Sequence, residues 1–150
     1  MENEPFQLDY PVVRVRLIRE TTTSQFQLSC LEAAMRTCED FLADEDRENL
    51  IVLMLSAKND LLGIHTASVG NLTSAIVTPR EVFKAAILAN AASIIIAHNH
   101  PSGDPEPSPE DIEVTRAIKA SGELLGISLC DHIIVGERGR SVSLKRRGLL

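Results

Sequence analysis

Two short runs, residues 51–57 (IVLMLSA) and 93–97 (SIIIA), are apolar at almost every position. A strand with one wet face alternates apolar and polar side chains, whereas a strand covered on both faces need not. The two runs therefore predict central strands of a sheet with helices packed on it. Neither approaches the roughly 20 residues that cross a bilayer, so a transmembrane helix is excluded. At 150 residues, 44% hydrophobic and 24% charged, the chain fits one domain with a sizeable core.

The remaining elements follow from periodicity and turn chemistry. Residues 12–19 (VVRVRLIR) alternate apolar and charged, the pattern of a half-buried outer strand, open to pairing with a second copy. Residues 21–25 (TTTSQ) read as a turn. Leu28, Leu31, Ala34, Met35, Cys38, Phe41 and Leu42 recur at helical spacing. Residues 61–69 read as a strand. Thr78-Pro79-Arg80-Glu81 and Ser108-Pro109-Glu110-Asp111 are both helix starts, with a capping hydroxyl, proline in the first turn and an acid three residues after the cap. The first of these helices should run to about residue 91 and the second to residues 122–126, with last strands at 127–135 and 141–144. Three helices and five or six strands, joined by both hairpins and helical crossovers, make an α/β (α+β) domain with a mixed sheet.

Composition narrows the setting. The net charge of −6 and the 3% aromatic content oppose tight nucleic-acid binding, which draws on cations and stacking rings. Arg14, Arg16 and Arg19, and the cluster Arg138, Arg140, Lys145, Arg146 and Arg147, are either solvated faces or a weak patch for acidic partners. Three cysteines without CxxC spacing (Cys30, Cys38 and Cys130) read as small core residues and suit a reducing cytoplasm. The acidic, polar opening lacks the basic start and apolar run of a secretory signal.

The chemistry-bearing segment is residues 98–111 (HNHPSGDPEPSPED). His98 and His100 end an apolar strand two residues apart, so in extended backbone both rings point to one side. A Pro/Gly loop leads to a helix whose first turn carries Asp111. Two imidazoles, one carboxylate and a water would form the open tetrahedral site of a catalytic zinc. Taken alone, Ser108 and Asp111 are equally a helix cap, and a lone pair of histidines more often does something else. Ser102 and Asp104 read as turn-shaping residues, and His65 as structural or exposed.

The whole string resembles the JAMM signature of JAB/MPN metallohydrolases: His98-x-His100, seven residues, then Ser108-x-x-Asp111. The surrounding residues, from about 46 to 143, are similar to the RadC family, in particular to short, single-domain members. The resemblance implies a JAB/MPN, cytidine deaminase-like layered fold over residues 28–150, preceded by an extension over residues 1–27 with its outer strand. It implies Zn²⁺ held by His98, His100 and Asp111, with Ser108 donating to a developing oxyanion or to the bound water. Glu48, just before the first central strand, takes the place of the family's general base. His132, in Asp131-His132-Ile133, either backs the metal site or contacts substrate, or else is a hydrogen-bonded core histidine.

The expected function is a cytoplasmic zinc-dependent hydrolase, of metallopeptidase type, cleaving a peptide or isopeptide-like amide bond in a protein or peptide substrate. The RadC name carries a nominal link to DNA repair, to which the acidic composition lends little support. The alternatives are a non-catalytic MPN-type interaction module, against which the intact motif argues, and a DNA-repair-associated factor or metal-dependent nuclease. Such nucleases gather carboxylates around Mg²⁺ rather than histidines around zinc. A zinc deaminase would need H-x-E and P-C-x-x-C pieces that this sequence lacks.

Overall fold

The computed structural model describes residues 11–20, 26–70 and 77–150. Its elements, in chain order, are α1 (Leu31–Leu42), β1 (Asn49–Leu55), β2 (Leu61–Val69), α2 (Pro79–Leu88), β3 (Ser93–Asn99), α3 (Pro109–Leu125), β4 (Ser128–Val135) and β5 (Ser141–Ser143). The five strands form one mixed sheet in the order β2-β1-β3-β4-β5. Only β3 and β4, the pair bridged by α3, run parallel; the other three pairs are antiparallel.

The two apolar runs are the two central strands. Every residue of β1 is buried, as are the last six of β3. Their side chains go alternately to two cores. Leu50, Val52, Met54, Ile94 and Ile96 meet Phe83 of α2 and Val114 and Ile118 of α3. Ile51, Leu53, Leu55, Ile95 and Ala97 meet Ala34, Cys38 and Leu42 of α1. Helices thus cover both faces, which is why neither run had to alternate.

In β4 that alternation slips. Ile94 pairs with Leu129 but Ile95 pairs with Asp131, so Cys130 is one residue extra on β4. An inserted residue reverses which face each later side chain meets. Leu129 therefore joins the core under α2 and α3, whereas Ile133 and Val135 join the core under α1. His132, opposite Ile96, is thereby turned toward α3. Asp131 goes the other way. Its buried carboxylate accepts from Ser143 Oγ and from the backbone N–H groups of His132 and Lys145, tying the end of the chain to β4.

Two expectations are overturned. Residues 12–19 form no strand: Val12, Val13, Val15 and Ile18 are all exposed, and Arg19 Nε donates to the Leu62 carbonyl at 3.3 Å. Alternation says which side chains share a face, but a strand exists only where a partner pairs with it, and here none does among the described residues. Cys30 is not a core residue but is exposed, because α1 begins at Leu31 and leaves Cys30 as an extended N-cap at φ −155°. The first ten residues and the expected turn at 21–25 lie outside the described residues. The basic cluster is largely paired on the surface, Arg138 with Asp44, Arg146 with Glu32 and Arg147 with Glu106. No helix among the described residues is long and apolar enough to cross a membrane.

Cys38 and Cys30 make the placement of α1 testable. Burial, followed by the charge of Asp131, pushes the Cys38 thiol up to about 12, so at pH 8 it stays protonated as well as covered. Alkylation of the folded chain at pH 8 is expected to modify Cys30 and spare Cys38, with peptide mapping as the readout. Comparable labelling of both would show that α1 does not pack as described.

Candidate metal centre

His98 is the sixth residue of β3 and His100 follows the strand's end, so both rings leave the sheet on the α3 side. Leu50 of β1 lies opposite His98. Two residues before Leu50, on the same face by alternation, is Glu48. Asp111 arrives from the other direction, in the first turn of α3. Its backbone N–H donates to Ser108 Oγ at 3.1 Å while its Oδ2 accepts the Ser108 N–H at 2.8 Å. The reading of Ser108 and Asp111 as a helix cap therefore holds. The reciprocal cap turns the carboxylate back over the helix start, and that is the direction in which the imidazoles lie.

Three side chains converge. His98 Nε2 and His100 Nε2 are 3.0 Å apart, and Asp111 places Oδ1 3.1 Å from the first and Oδ2 3.3 Å from the second. Ligands on one tetrahedral zinc, with bonds of about 2.1 Å, sit about 3.4 Å from each other. The donor types and the spacing both fit a zinc ion. Glu48 Oε1 stands 3.9 Å from His98 Nε2, and Glu48, His98 and His100 form a compact group of metal-binding atoms, all within 4.8 Å of one another. Asp111 is nearly sealed from solvent, whereas the Glu48 side chain keeps 20% of its exposure.

Electrostatics point the same way. Burial alone would raise the Asp111 carboxyl, but the hydrogen bonds of His100 and His98 outweigh it and hold the acid well below the usual carboxylate range. The same Asp111 contact raises the pKa of His100 against the effect of burial. The His100 Nδ1 donates to the Asp104 carbonyl at 2.8 Å, which leaves Nε2 to face the cluster. Two ring nitrogens and a carboxylate this close call for positive charge between them, either a proton or a cation.

The loop at residues 101–107 is held by its own polar groups and by β4. Glu106 N–H donates to Asp104 Oδ1, and Glu137 N–H donates to the Gly103 carbonyl at 3.0 Å. Gly136 makes that approach possible, since a Cβ there would lie 2.3 Å from the Gly103 oxygen. Ser102 and Asp104 are thus turn-shaping, as expected. His65 sits opposite Val52 on β2, the outer strand of the sheet.

Thr115 and Asn99 have no signal of their own in the sequence, whereas His132, singled out there, proves to lie behind His98. His132 Nε2 lies 2.8 Å from His98 Nδ1, and His132 Nδ1 lies 2.6 Å from Thr115 Oγ1. Burial, then the charge of His98, lowers the pKa of His132 well below that of a free imidazole. Asn99, pointing away from its two histidine neighbours, clamps the segment that carries Glu48. Its Oδ1 accepts the Asn49 N–H at 2.8 Å, and its Nδ2 donates to the Arg47 carbonyl at 2.8 Å. Alternation could have said that Asn99 faces away from the histidines, but not that its partners lie 50 residues earlier.

Residues 28–149 match the family of RadC-like JAB domains. Over 133 residues the chain is 45% identical to a UPF0758 protein of Caldanaerobacter subterraneus, a match covering 89% of this chain and 57% of that one. It is 55% identical over 105 residues to a UPF0758 protein of Desulfitobacterium hafniense (70% of this chain, 46% of the other). A UPF0758 protein of Moorella thermoacetica is 56% identical over 105 residues (70% and 45%). The chain spans about half the length of the curated relatives it matches. The five-stranded mixed sheet with three helices agrees with the JAB/MPN fold.

The Asn99 clamp has a measurable cost. Asn99→Ala leaves the buried Asn49 N–H and the Arg47 carbonyl without their partner, which is expected to destabilise the chain by about 1–3 kcal/mol. A urea midpoint unchanged from wild type would mean that water or a shifted backbone replaces the side chain.

Proposed function

The chain belongs to the RadC-like JAB domain family, and from that premise we propose that it is a zinc-dependent hydrolase of the JAMM type that cleaves a peptide or isopeptide-like amide bond. The observation that carries this reading is the convergence of His98, His100 and Asp111 to within 3.3 Å of one another, with Glu48 alongside. In this reading His98, His100 and Asp111 hold the ion. Zinc at such a site supplies Lewis acidity, bringing the pKa of a water to about 7.

The chain's own groups divide the remaining work. Asp111 is nearer both rings than Glu48 is to His98 and is the better buried, which supports Asp111 as ligand and Glu48 as base. Glu48, at the partly open side, accepts a proton from the attacking water and passes it to the departing amine nitrogen. Ser108 Oγ accepts the Asp111 N–H, and its own hydrogen is left to donate to the substrate carbonyl oxygen as negative charge develops there. A protein or peptide is the substrate class, and three cysteines, none of them in a disulfide, support a cytoplasmic setting.

Metal analysis after dialysis against zinc separates the roles. Asp111→Ala and His100→Ala are expected to lose the ion. Glu48→Gln is expected to keep one zinc per chain and to lose about 10²–10⁴-fold in hydrolysis, measured on substrates that the Glu48→Gln protein captures from a lysate. Full activity in Glu48→Gln would remove Glu48 as the base, and a wild-type chain that takes up no zinc would overturn the proposal.

A further inference from the structure

Behind His98 a series of hydrogen bonds runs through the core and ends on a backbone carbonyl. We infer that Thr115 and His132 are positioning residues that lock His98 in the tautomer with its hydrogen on Nδ1, so that Nε2 turns a bare lone pair toward the metal position. The inference rests on the reading of His98 as a ligand.

The direction of every bond in the series follows from its last member. The Asp111 carbonyl oxygen can only accept, and Thr115 Oγ1 lies 2.6 Å from it. A threonine hydroxyl has one hydrogen, so that contact commits it. The 2.6 Å contact between Thr115 Oγ1 and His132 Nδ1 must then be made by a hydrogen on the ring nitrogen. His132 is buried, and a second hydrogen would make it a cation enclosed 2.8 Å from another imidazole. Its Nε2 is therefore an acceptor, and His98 Nδ1 is the donor to it. With its Nδ1 hydrogen committed to His132, His98 turns Nε2 toward His100 and Asp111, to share a proton there in the metal-free chain or to give its lone pair to an ion. The ring of His100 reaches the same state by a different device, the Asp104 carbonyl.

The sequence supplies this through two placements. Thr115 stands four residues after Asp111, one turn further along α3, which brings its hydroxyl under the Asp111 carbonyl. His132 faces α3 because of the extra residue at Cys130. One turn of helix thus provides a proposed metal ligand through a side chain and orders the hydrogens of another ligand through its backbone.

The metal-free wild-type chain, labelled with ¹⁵N at histidine, gives the direct test, since long-range ¹H–¹⁵N spectra distinguish the two ring tautomers. Hydrogen on Nδ1 of both His98 and His132 is expected; a His98 Nδ1 without hydrogen overturns the inference without reference to zinc. The second arm uses Thr115→Val, which keeps the shape and removes the hydroxyl. His132 then loses its acceptor, its hydrogen moves to Nε2, and His98 is driven to the form that opposes metal binding. Zinc affinity, measured by competition with a chelating dye, is expected to fall about 10–100-fold, with Thr115→Ser restoring both affinity and spectrum. Wild-type affinity together with an unchanged His98 tautomer in Thr115→Val would overturn the inference. A wild-type chain that binds no zinc would instead overturn the proposed function, while its metal-free spectrum would still decide the tautomer.

Discussion

A carboxylate almost sealed from water must be surrounded by donors, and the manner in which Asp111 meets that demand organises the site. It sits at the positive end of α3, takes the Ser108 N–H on one oxygen, and turns both oxygens toward the two imidazoles. Each contact compensates part of the cost of burying the charge. The arrangement sets where the helix must begin, and with it the path of the loop from β3. A start one residue later would rotate Asp111 by about 100° about the helix axis and away from the rings.

Asp111 is at once a capping residue and a proposed metal ligand, and this explains why the site was so readable. Helix-start grammar, the i, i+2 placement of the histidines and the two fully apolar strands are local signals, and each led to the correct element. The same grammar at Thr78 leads to a helix without a side-chain cap bond, although Pro79 and Glu81 are in place. Grammar locates the helix start; whether the side chains close on each other depends on what surrounds them. At Ser108 the buried imidazoles favour a carboxylate turned inward.

What stayed hidden is relational. Residues 12–19 have the composition of a strand, but pairing is a property of two segments and only one is written there. Asn99 looks like a spacer between two histidines, yet its amide holds the backbone of residues 45–49 from the neighbouring strand. Through that amide the strand bearing His98 also fixes the segment bearing Glu48, so ligand and proposed base do not shift independently. Thr115 is an ordinary helix residue until the helix is laid against the sheet, and only then is it settled which of its possible places His132 takes.

The supernumerary Cys130 gives β4 two phases. Upstream of it odd-numbered side chains look toward α2 and α3; downstream, even-numbered ones do. An insertion or deletion in a surface loop is absorbed locally, but losing one residue here would exchange the two covered faces along the rest of the strand. His132 would exchange places with a neighbour, and an acid or an isoleucine would be thrust at the back of His98. The chemistry of the centre therefore depends on a matter of counting, odd against even, settled two residues before His132.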